Sequence, residues 1–407
     1  MKRICLYITI LFFAASCNKN EIIRPPQSDD INLANTAPLS GTVMKKMEGI
    51  YKSFGGNDDL GIEFVCKVSK NRISFFSNKE GIFIILKYGL KSDGSIQFSG
   101  FWRYSEKTDQ GKIYFAMAAS EGAGGLLAGI TGNIKMRGVI TDNPVSLQYD
   151  RPFSAYATNN ELMIFAHHGV QTTADPPYAE NSLLGVLNDE NYGVNGLEFD
   201  VRMTKDNVPI CVHDPTINTR LTVKGPLAGS WDQYNFSLIS DYIRLVDGQQ
   251  IPSVEQVLNY FIDSTTLKYM WMDLKGNKDI FKYLEPIVRA ANARAVAQNR
   301  NVVLFAGLPS KDVIEELNKQ PSYKTLPMLA EQSLDIAIEN GCKFFGPRYS
   351  EGLLLDEVNR AHSKGIKVIS WTLNSRGLIV NYLQNGKFDG FITDYPAYIN
   401  YHYYTMF

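Results

Sequence analysis

A (β/α)8 TIM barrel preceded by a small all-β domain is the α/β fold class that the 407-residue sequence predicts. Three observations carry it. From Gly41 to about Ala155, short β-rich runs are broken by glycine, asparagine and aspartate at the spacing of antiparallel strands, and no long helical pattern interrupts them. After Ser154 the texture changes to apolar runs alternating with amphipathic helical stretches, as in parallel β/α architecture. Eight such runs fall within about 245 residues, the size of one closed barrel.

Taken in order, residues 1–17 read as a signal: Met1-Lys2-Arg3, an apolar run from Ile4 to Phe13, then Ala14-Ala15-Ser16-Cys17. A cysteine in that place resembles the lipobox of bacterial lipoproteins. The resemblance implies that Cys17 becomes the first mature residue and carries a lipid anchor, placing the protein at the bacterial cell envelope, on the periplasmic side or the cell surface. No later run approaches the ~20 apolar residues of a membrane span, so membrane contact is expected through the anchor only. Residues 18–40 are polar, contain Pro25-Pro26 and show no hydrophobic period, as a tether does. Beyond Cys17, the scattered Cys66, Cys211 and Cys342 form neither a disulfide framework nor a zinc pattern. Lysine plus arginine at 41 against aspartate plus glutamate at 42 leaves no basic field for nucleic acid.

Residues 41–155 give strands at Gly61 to Val68, Arg72 to Phe76, Gly81 to Leu86, Ser95 to Tyr104, Gly111 to Met117 and Gly129 to Val139. They predict a sandwich or a lipocalin-like barrel, for which a glycan or a lipid is the ligand class to expect. The segment has no histidine and no tight carboxylate cluster, so no chemistry is assigned to it. Trp102 and Tyr104 alternate as core residues do, or would line a ligand face.

Residues 156–407 supply the barrel. Its strands are predicted at Leu162 to Ala166, Gly196 to Val201, Tyr269 to Leu274, Val302 to Ala306, Leu326 to Leu329, Lys343 to Gly346, Lys367 to Thr372 and Phe388 to Thr393. Helices are predicted at Asn181 to Tyr192, Ser253 to Ile262, Asp279 to Ala297, Lys311 to Lys319, Ser333 to Glu339, Ser350 to Ser363 and Ser375 to Gln384. Val208 to His213 reads as a hairpin strand folded back over the mouth after the second barrel strand.

The stretch from Phe165 to Asp214 holds three of the five histidines, His167, His168 and His213. Glu198 and Asp200 stand two apart in an apolar strand, so both carboxylates leave one face about 7 Å apart at Cα. Two carboxylates on an apolar face repel each other and lose hydration, which calls for a cation or a shared proton. Asp273 and Lys275 share a face of the next strand in the same way. His362 and His402 read as surface residues.

The order of these motifs carries a resemblance. Ala166-His167, Glu180-Asn181-Ser182, Gly196-Leu197-Glu198-Phe199-Asp200-Val201, Val212-His213-Asp214, Met272-Asp273-Leu274-Lys275, Trp371-Thr372-Leu373-Asn374 and Thr393-Asp394-Tyr395-Pro396 together resemble the glycerophosphodiester phosphodiesterase family over about Leu162 to Pro396. The resemblance implies hydrolysis of a glycerophosphodiester to sn-glycerol 3-phosphate and an alcohol. It assigns Glu198, Asp200 and Asp273 to a divalent cation, Ca2+ or Mg2+, and His167 and His213 to general acid and base. Lys275, His168, Glu180 and Trp371 would contact or orient the substrate. Two positions depart from the family: His168 stands where arginine is usual, and Asp273 where glutamate is usual. Two rivals remain: a phosphatidylinositol-type phospholipase C, and a non-catalytic lipoprotein that binds a surface glycan or lipid. Assay after chelation, with and without added cation, separates the three.

Overall fold

The computed structural model describes residues 22–26, 33–55, 57–131, 133–140, 143–169, 177–276 and 279–407. The signal with Cys17, and residues 18–21 and 27–32 of the tether, lie outside the described residues. Among the described residues no helix is long and apolar enough to cross a membrane.

Eight antiparallel strands close the first barrel in simple sequence order. They are β1 (Gly49–Phe54), β2 (Glu63–Val68), β3 (Ile73–Phe76), β4 (Phe83–Leu90), β5 (Ile96–Arg103), β6 (Gln110–Met117), β7 (Lys135–Ile140) and β8 (Asn143–Arg151). The sequence pattern finds six runs and misses β1 and β8, the two that pair with each other to close the ring, with Tyr51 opposite Tyr149 and Ser53 opposite Leu147. The reason is local: β8 opens on Asn143-Pro144 and buries only Val145 and Leu147, so its alternation is weak. The barrel interior is packed with Tyr51, Phe64, Phe75, Phe98, Trp102 and Phe115. Trp102 therefore belongs to the core, edge-on to Tyr104 at 5.2 Å.

The rest of the chain carries β9 (Met163–Ala166), β10 (Gly196–Met203), β11 (Pro209–Cys211), β12 (Thr216–Ile217), β13 (Gly229–Ser230), β14 (Tyr269–Leu274), β15 (Val303–Leu308), β16 (Met328–Ala330), β17 (Phe344–Phe345), β18 (Lys367–Ser370) and β19 (Gly390–Thr393), of which β12 and β13 pair only with each other. Eight of them, β9, β10 and β14 to β19, run parallel and close where β9 pairs with both β10 and β19. As the sequence predicts, β11 is the hairpin partner of β10, antiparallel and outside the ring. Met163, Phe165, Trp271, Phe305, Leu329, Phe344, Ile369 and Ile392 fill the ring and leave the carboxyl ends of the strands as the rim.

Helix starts follow serine caps: Ser182, Ser253, Ser310 and Ser333 each accept a backbone N–H of the first turn, and Ser253 forms a full capping box with Gln256. The helix Val254–Ser264 buries Val254, Val257, Leu258, Phe261 and Ile262, the stripe that a 3.6-residue period dictates. The predicted helix from Ser350 begins only at Leu355, after a short 3-10 turn.

The aromatic end of the chain corrects an expectation. It forms a helix, Pro396–Met406, wedged between the barrels. The Lys67 ammonium donates to the Tyr404 hydroxyl at 2.8 Å, Tyr401 donates to Glu63 at 3.3 Å, and Ser74 donates to the Asn191 carbonyl at 2.6 Å. Phe76, Phe83, Tyr192 and Tyr398 join both barrels in one apolar core. His402, read as a surface residue, is half-buried beside Tyr401, because a helix covered on two sides has no fully wet face.

Candidate active site

β9 ends at Ala166, and His167, His168 and Gly169 turn across the rim, with His168 (φ 52°) and Gly169 (φ 81°) both left-handed. A non-glycine residue held there marks a constraint. Here the turn aims the His168 backbone N–H at Glu198 Oε2, 3.0 Å away. Residues 170–176 lie outside the described chain.

The pleat of β10 buries Glu198 and Asp200 on one face, and its parallel register sets Asp200 directly beside Asp273 on β14. Carboxylate oxygens of Glu198, Asp200 and Asp273 all come within 4.8 Å of one another. Lys275, one pleat beyond Asp273, reaches back so that Nζ lies 3.0 Å from Asp200 Oδ1 and 2.5 Å from Asp273 Oδ2. Asn181 donates from Nδ2 to Asp200 Oδ2 at 2.8 Å and accepts the Asp200 N–H at 3.0 Å, fixing that carboxylate.

Three acids around one ammonium leave negative charge uncompensated. Burial, and then Asp200, pushes the Glu198 carboxyl well above its ordinary value. Burial also raises Asp273, with Lys275 opposing and Asp200 adding to the rise. Against its own burial, Asp200 is held well below the usual carboxylate range by His168, Lys275, His213 and the Asn181 amide. Asp273 Oδ1 is buried and accepts no hydrogen bond.

The three histidines cross the rim as a row, with ring centroids 3.8 Å apart from His167 to His168 and 5.0 Å from His168 to His213. The outer two are built alike. His167 Nδ1 bonds Asp394 Oδ1 at 2.7 Å, and His213 Nδ1 bonds Asp214 Oδ1 at 2.8 Å. Burial pulls His167 down, but the Asp394 bond and charge, helped by Glu198 and Asp200, win and lift it to about 9. The middle ring, His168, is buried with Nε2 3.3 Å from Asp200 Oδ2. Burial drives it well below its ordinary value; Asp200 opposes this, and His167, His213 and Lys275 add to it.

Supporting groups stand behind each outer histidine. Asn374 donates to Asp394 Oδ2 at 2.6 Å and accepts the Asp394 N–H at 2.9 Å. Arg220 grips Glu180 with two bonds of 2.7 and 3.0 Å and Asp214 with two more of 2.7 and 3.0 Å. Glu180 is thus placed on an arginine that carries Asp214 and, through it, His213. Trp371 lies at the rim, donating from Nε1 to the Gly346 carbonyl at 2.7 Å, with the Arg348 guanidinium 4.8 Å over its ring.

The structure brings His167, His168, His213, Glu198, Asp200, Asp273 and Lys275 to one mouth. The sequence singles out none of Arg220, Glu331 and Arg348 as site residues. It gives Asp214, Asn374 and Asp394 only as parts of motifs, without roles. Position at a strand end flags Asp394, and adjacency to a histidine flags Asp214, but nothing local flags Arg220, whose partners are set by loop packing. Glu331 follows β16 at the rim. Burial, and then Asp273, raises its carboxyl to about 8, with Lys275 and Arg348 opposing.

Residues 167–398 match the model of the Glycerophosphoryl diester phosphodiesterase family. A glycerophosphodiester phosphodiesterase of Bacillus altitudinis is 23% identical over 239 residues, which cover 57% of this chain and 94% of that protein. An uncharacterised protein of Bacillus subtilis, YqiK, is 24% identical over 237 residues, covering 57% and 95% respectively. Among solved structures, an Oleispira antarctica phosphodiesterase in complex with the product sn-glycerol-3-phosphate is 18% identical over 58% of this chain and 94% of its own, with a TM-score of 0.46. A glycerophosphodiester phosphodiesterase from Parabacteroides distasonis is 20% identical over 57% of this chain and 93% of its own, also with a TM-score of 0.46.

Proposed function

The chain belongs to the glycerophosphoryl diester phosphodiesterase family and is a glycerophosphodiester phosphodiesterase; from that premise we propose a metal-dependent hydrolysis to sn-glycerol 3-phosphate and an alcohol, with His167 and His213 moving the protons. The observation that carries this reading is the matched pair of carboxylate-anchored imidazoles flanking one cluster of three acids.

The cluster fits a hard divalent cation, Ca2+ or Mg2+. Its donors are all carboxylate oxygens, they converge within 4.8 Å, and Asp273 Oδ1 is buried without a partner. Glu198, Asp200 and Asp273 would hold the ion. When bound, it offsets the negative charge that builds on the phosphoryl oxygens.

The other residues divide the work by geometry. With Nδ1 of each ring engaged by an aspartate, Nε2 is the nitrogen left for substrate. His167, lifted to about 9, carries a proton at neutral pH and gives it to the leaving alkoxide oxygen as the P–O bond breaks. His213 takes the proton of the nucleophile, a water or the glycerol hydroxyl beside the ester; the second course passes through a cyclic phosphate that water then opens. Lys275 pairs with a phosphoryl oxygen, and Trp371 walls the alcohol side. Glu180 is a positioning residue: it holds Arg220, which in turn grips the Asp214 carboxylate behind His213.

The test is His167→Asn and His213→Asn, assayed separately for glycerol 3-phosphate release from glycerophosphodiesters before and after chelation. Each is expected to lower turnover by roughly 10^2 to 10^4, and readdition of Ca2+ or Mg2+ to restore only the parent enzyme. A loss below about tenfold for either variant contradicts acid–base duty.

A further inference from the structure

At the end of the second barrel opposite the catalytic rim, a cavity of about 630 Å³ opens at the amino ends of the strands. Leu162, Tyr269, Lys367 and Phe388 line it, each at or within two residues of the start of β9, β14, β18 or β19. Two segments far apart in the chain add to the wall: the helix Ala155–Asn159 that links the barrels, and the end of the final helix with Tyr403 and Phe407. The volume falls within the ~300–1,000 Å³ of small-molecule sites, and the phosphodiester chemistry makes no use of it.

The lining mixes aromatic faces with open polar groups of both kinds. Tyr156 and Phe407 form a tilted pair with ring centroids 4.9 Å apart, and Tyr156 is 54% exposed. Asp389 takes His362 Nε2 and the Val368 N–H on Oδ2, each at 2.8 Å, which leaves Oδ1 open. Among the described residues, the Tyr269 hydroxyl, the Lys367 ammonium and the Asn159 amide have no hydrogen-bond partner. Burial and then Glu161 raise the Tyr269 hydroxyl above its ordinary value, with Lys268 opposing and Asp389 adding. It therefore keeps its proton and both donates and accepts.

These groups select a ligand class. Asp389 and Glu161 stand against Lys367 and Lys387 in the lining, so no net field favours an ion. An aliphatic chain would cut a carboxylate and an ammonium off from water. An extended peptide binds by adding to an open sheet edge, and β9, β14, β18 and β19 are each paired on both sides. A sugar ring meets every demand: its hydroxyls donate and accept, and its C–H face lies on an aromatic ring.

We propose that this cavity binds a neutral saccharide, with Asp389, Lys367, Asn159 and the Tyr269 hydroxyl taking sugar hydroxyls and Tyr156 stacking on a sugar face. The site is separate from the catalytic mouth and does not rest on the phosphodiesterase reading.

The experiment titrates the full chain by calorimetry with maltotriose, cellotriose and triacetylchitotriose, parent against Tyr269→Phe and Tyr156→Ala. The first variant keeps the ring that packs 6.1 Å from Phe165, and the second removes an exposed ring, so both are expected to fold. At least one trisaccharide should bind the parent with a Kd of about 1 mM or below. Each variant should weaken that binding by roughly tenfold, while kcat/KM on glycerophosphodiesters stays at the parent value. No binding of any of the three at about 10 mM overturns the site, as does an affinity that neither variant changes. Displacement of the sugar by sn-glycerol 3-phosphate also overturns it, since the sugar would then sit in the catalytic mouth.

Discussion

Replacing Asp394 by asparagine tests how the last barrel strand controls the first. In the parent protein His167 is lifted from an ordinary value of 6.5 to about 9, although burial alone would push it the other way. The shift corresponds to about 3 kcal/mol of preference for the imidazolium. Asp394 is the strongest source of that preference, at 2.7 Å and with side chains 23% and 12% exposed, so solvent screens the pair little. An amide keeps the size and loses the charge, and the His167 value is expected to fall below 6.5. At pH 8 a group near 9 is about 90% protonated and one near 6.5 only about 3%, so the general-acid form drops by roughly thirtyfold. The assay is the pH profile of kcat, together with NMR titration of the imidazole in metal-free protein, where the fields of Glu198 and Asp200 are not offset. The alkaline limb of the profile should move down by at least one pH unit. Stability gives an independent sign. A group whose value is raised on folding contributes fully below its unfolded value of about 6.5 and loses that contribution as pH rises through about 9. The stability gap between metal-free parent and Asp394→Asn should therefore be largest, up to about 3 kcal/mol, below pH 6.5 and should shrink toward pH 9. An alkaline limb that stays put, or a gap that widens with pH, refutes the reasoning.

Two further outcomes follow from other parts of the molecule. Lys275→Met removes the ammonium that faces Asp200 at 3.0 Å and Asp273 at 2.5 Å. Metal-free protein should be destabilised in urea melts, and calorimetry should show Ca2+ or Mg2+ binding more tightly by severalfold, because the competing cation is gone, while turnover falls at least a hundredfold. Cys17→Ala, expressed in a bacterial host, should move the protein from the membrane fraction to the soluble fraction and abolish its labelling by fatty acid. Retention on the membrane would refute the anchor.

The departures from the family pattern look different with the fold in view. His168 replaces the usual arginine, and its ring is buried between His167 and His213 against Asp200, a place a longer, permanently charged guanidinium would fill differently. An arginine does stand at the rim elsewhere: Arg348, just past β17, lies over the Trp371 ring. Asp273 lies in register with Asp200, so its shorter reach is matched by a direct neighbour position.

Short-range pattern determined a great deal. Periods of two and 3.6 residues located every parallel strand of the second barrel and the hairpin β11. The two-residue step from Glu198 to Asp200, and from Asp273 to Lys275, was enough to put their charges on common faces, since the pleat alone dictates it. Tertiary closure decided the rest. Bonds that span 227 residues from His167 to Asp394, or 40 from Glu180 to Arg220, leave no trace in local periodicity, because their partners meet only once the ring is complete. The same holds for β1 and β8, whose pairing closes the first barrel, and for the aromatic final helix, whose burial exists only because two barrels press on it. Glu331 shows the limit most clearly. On its own it is one more acid at a strand end, and its carboxyl is raised to about 8 only because closure of the ring buries it near Asp273 of another strand.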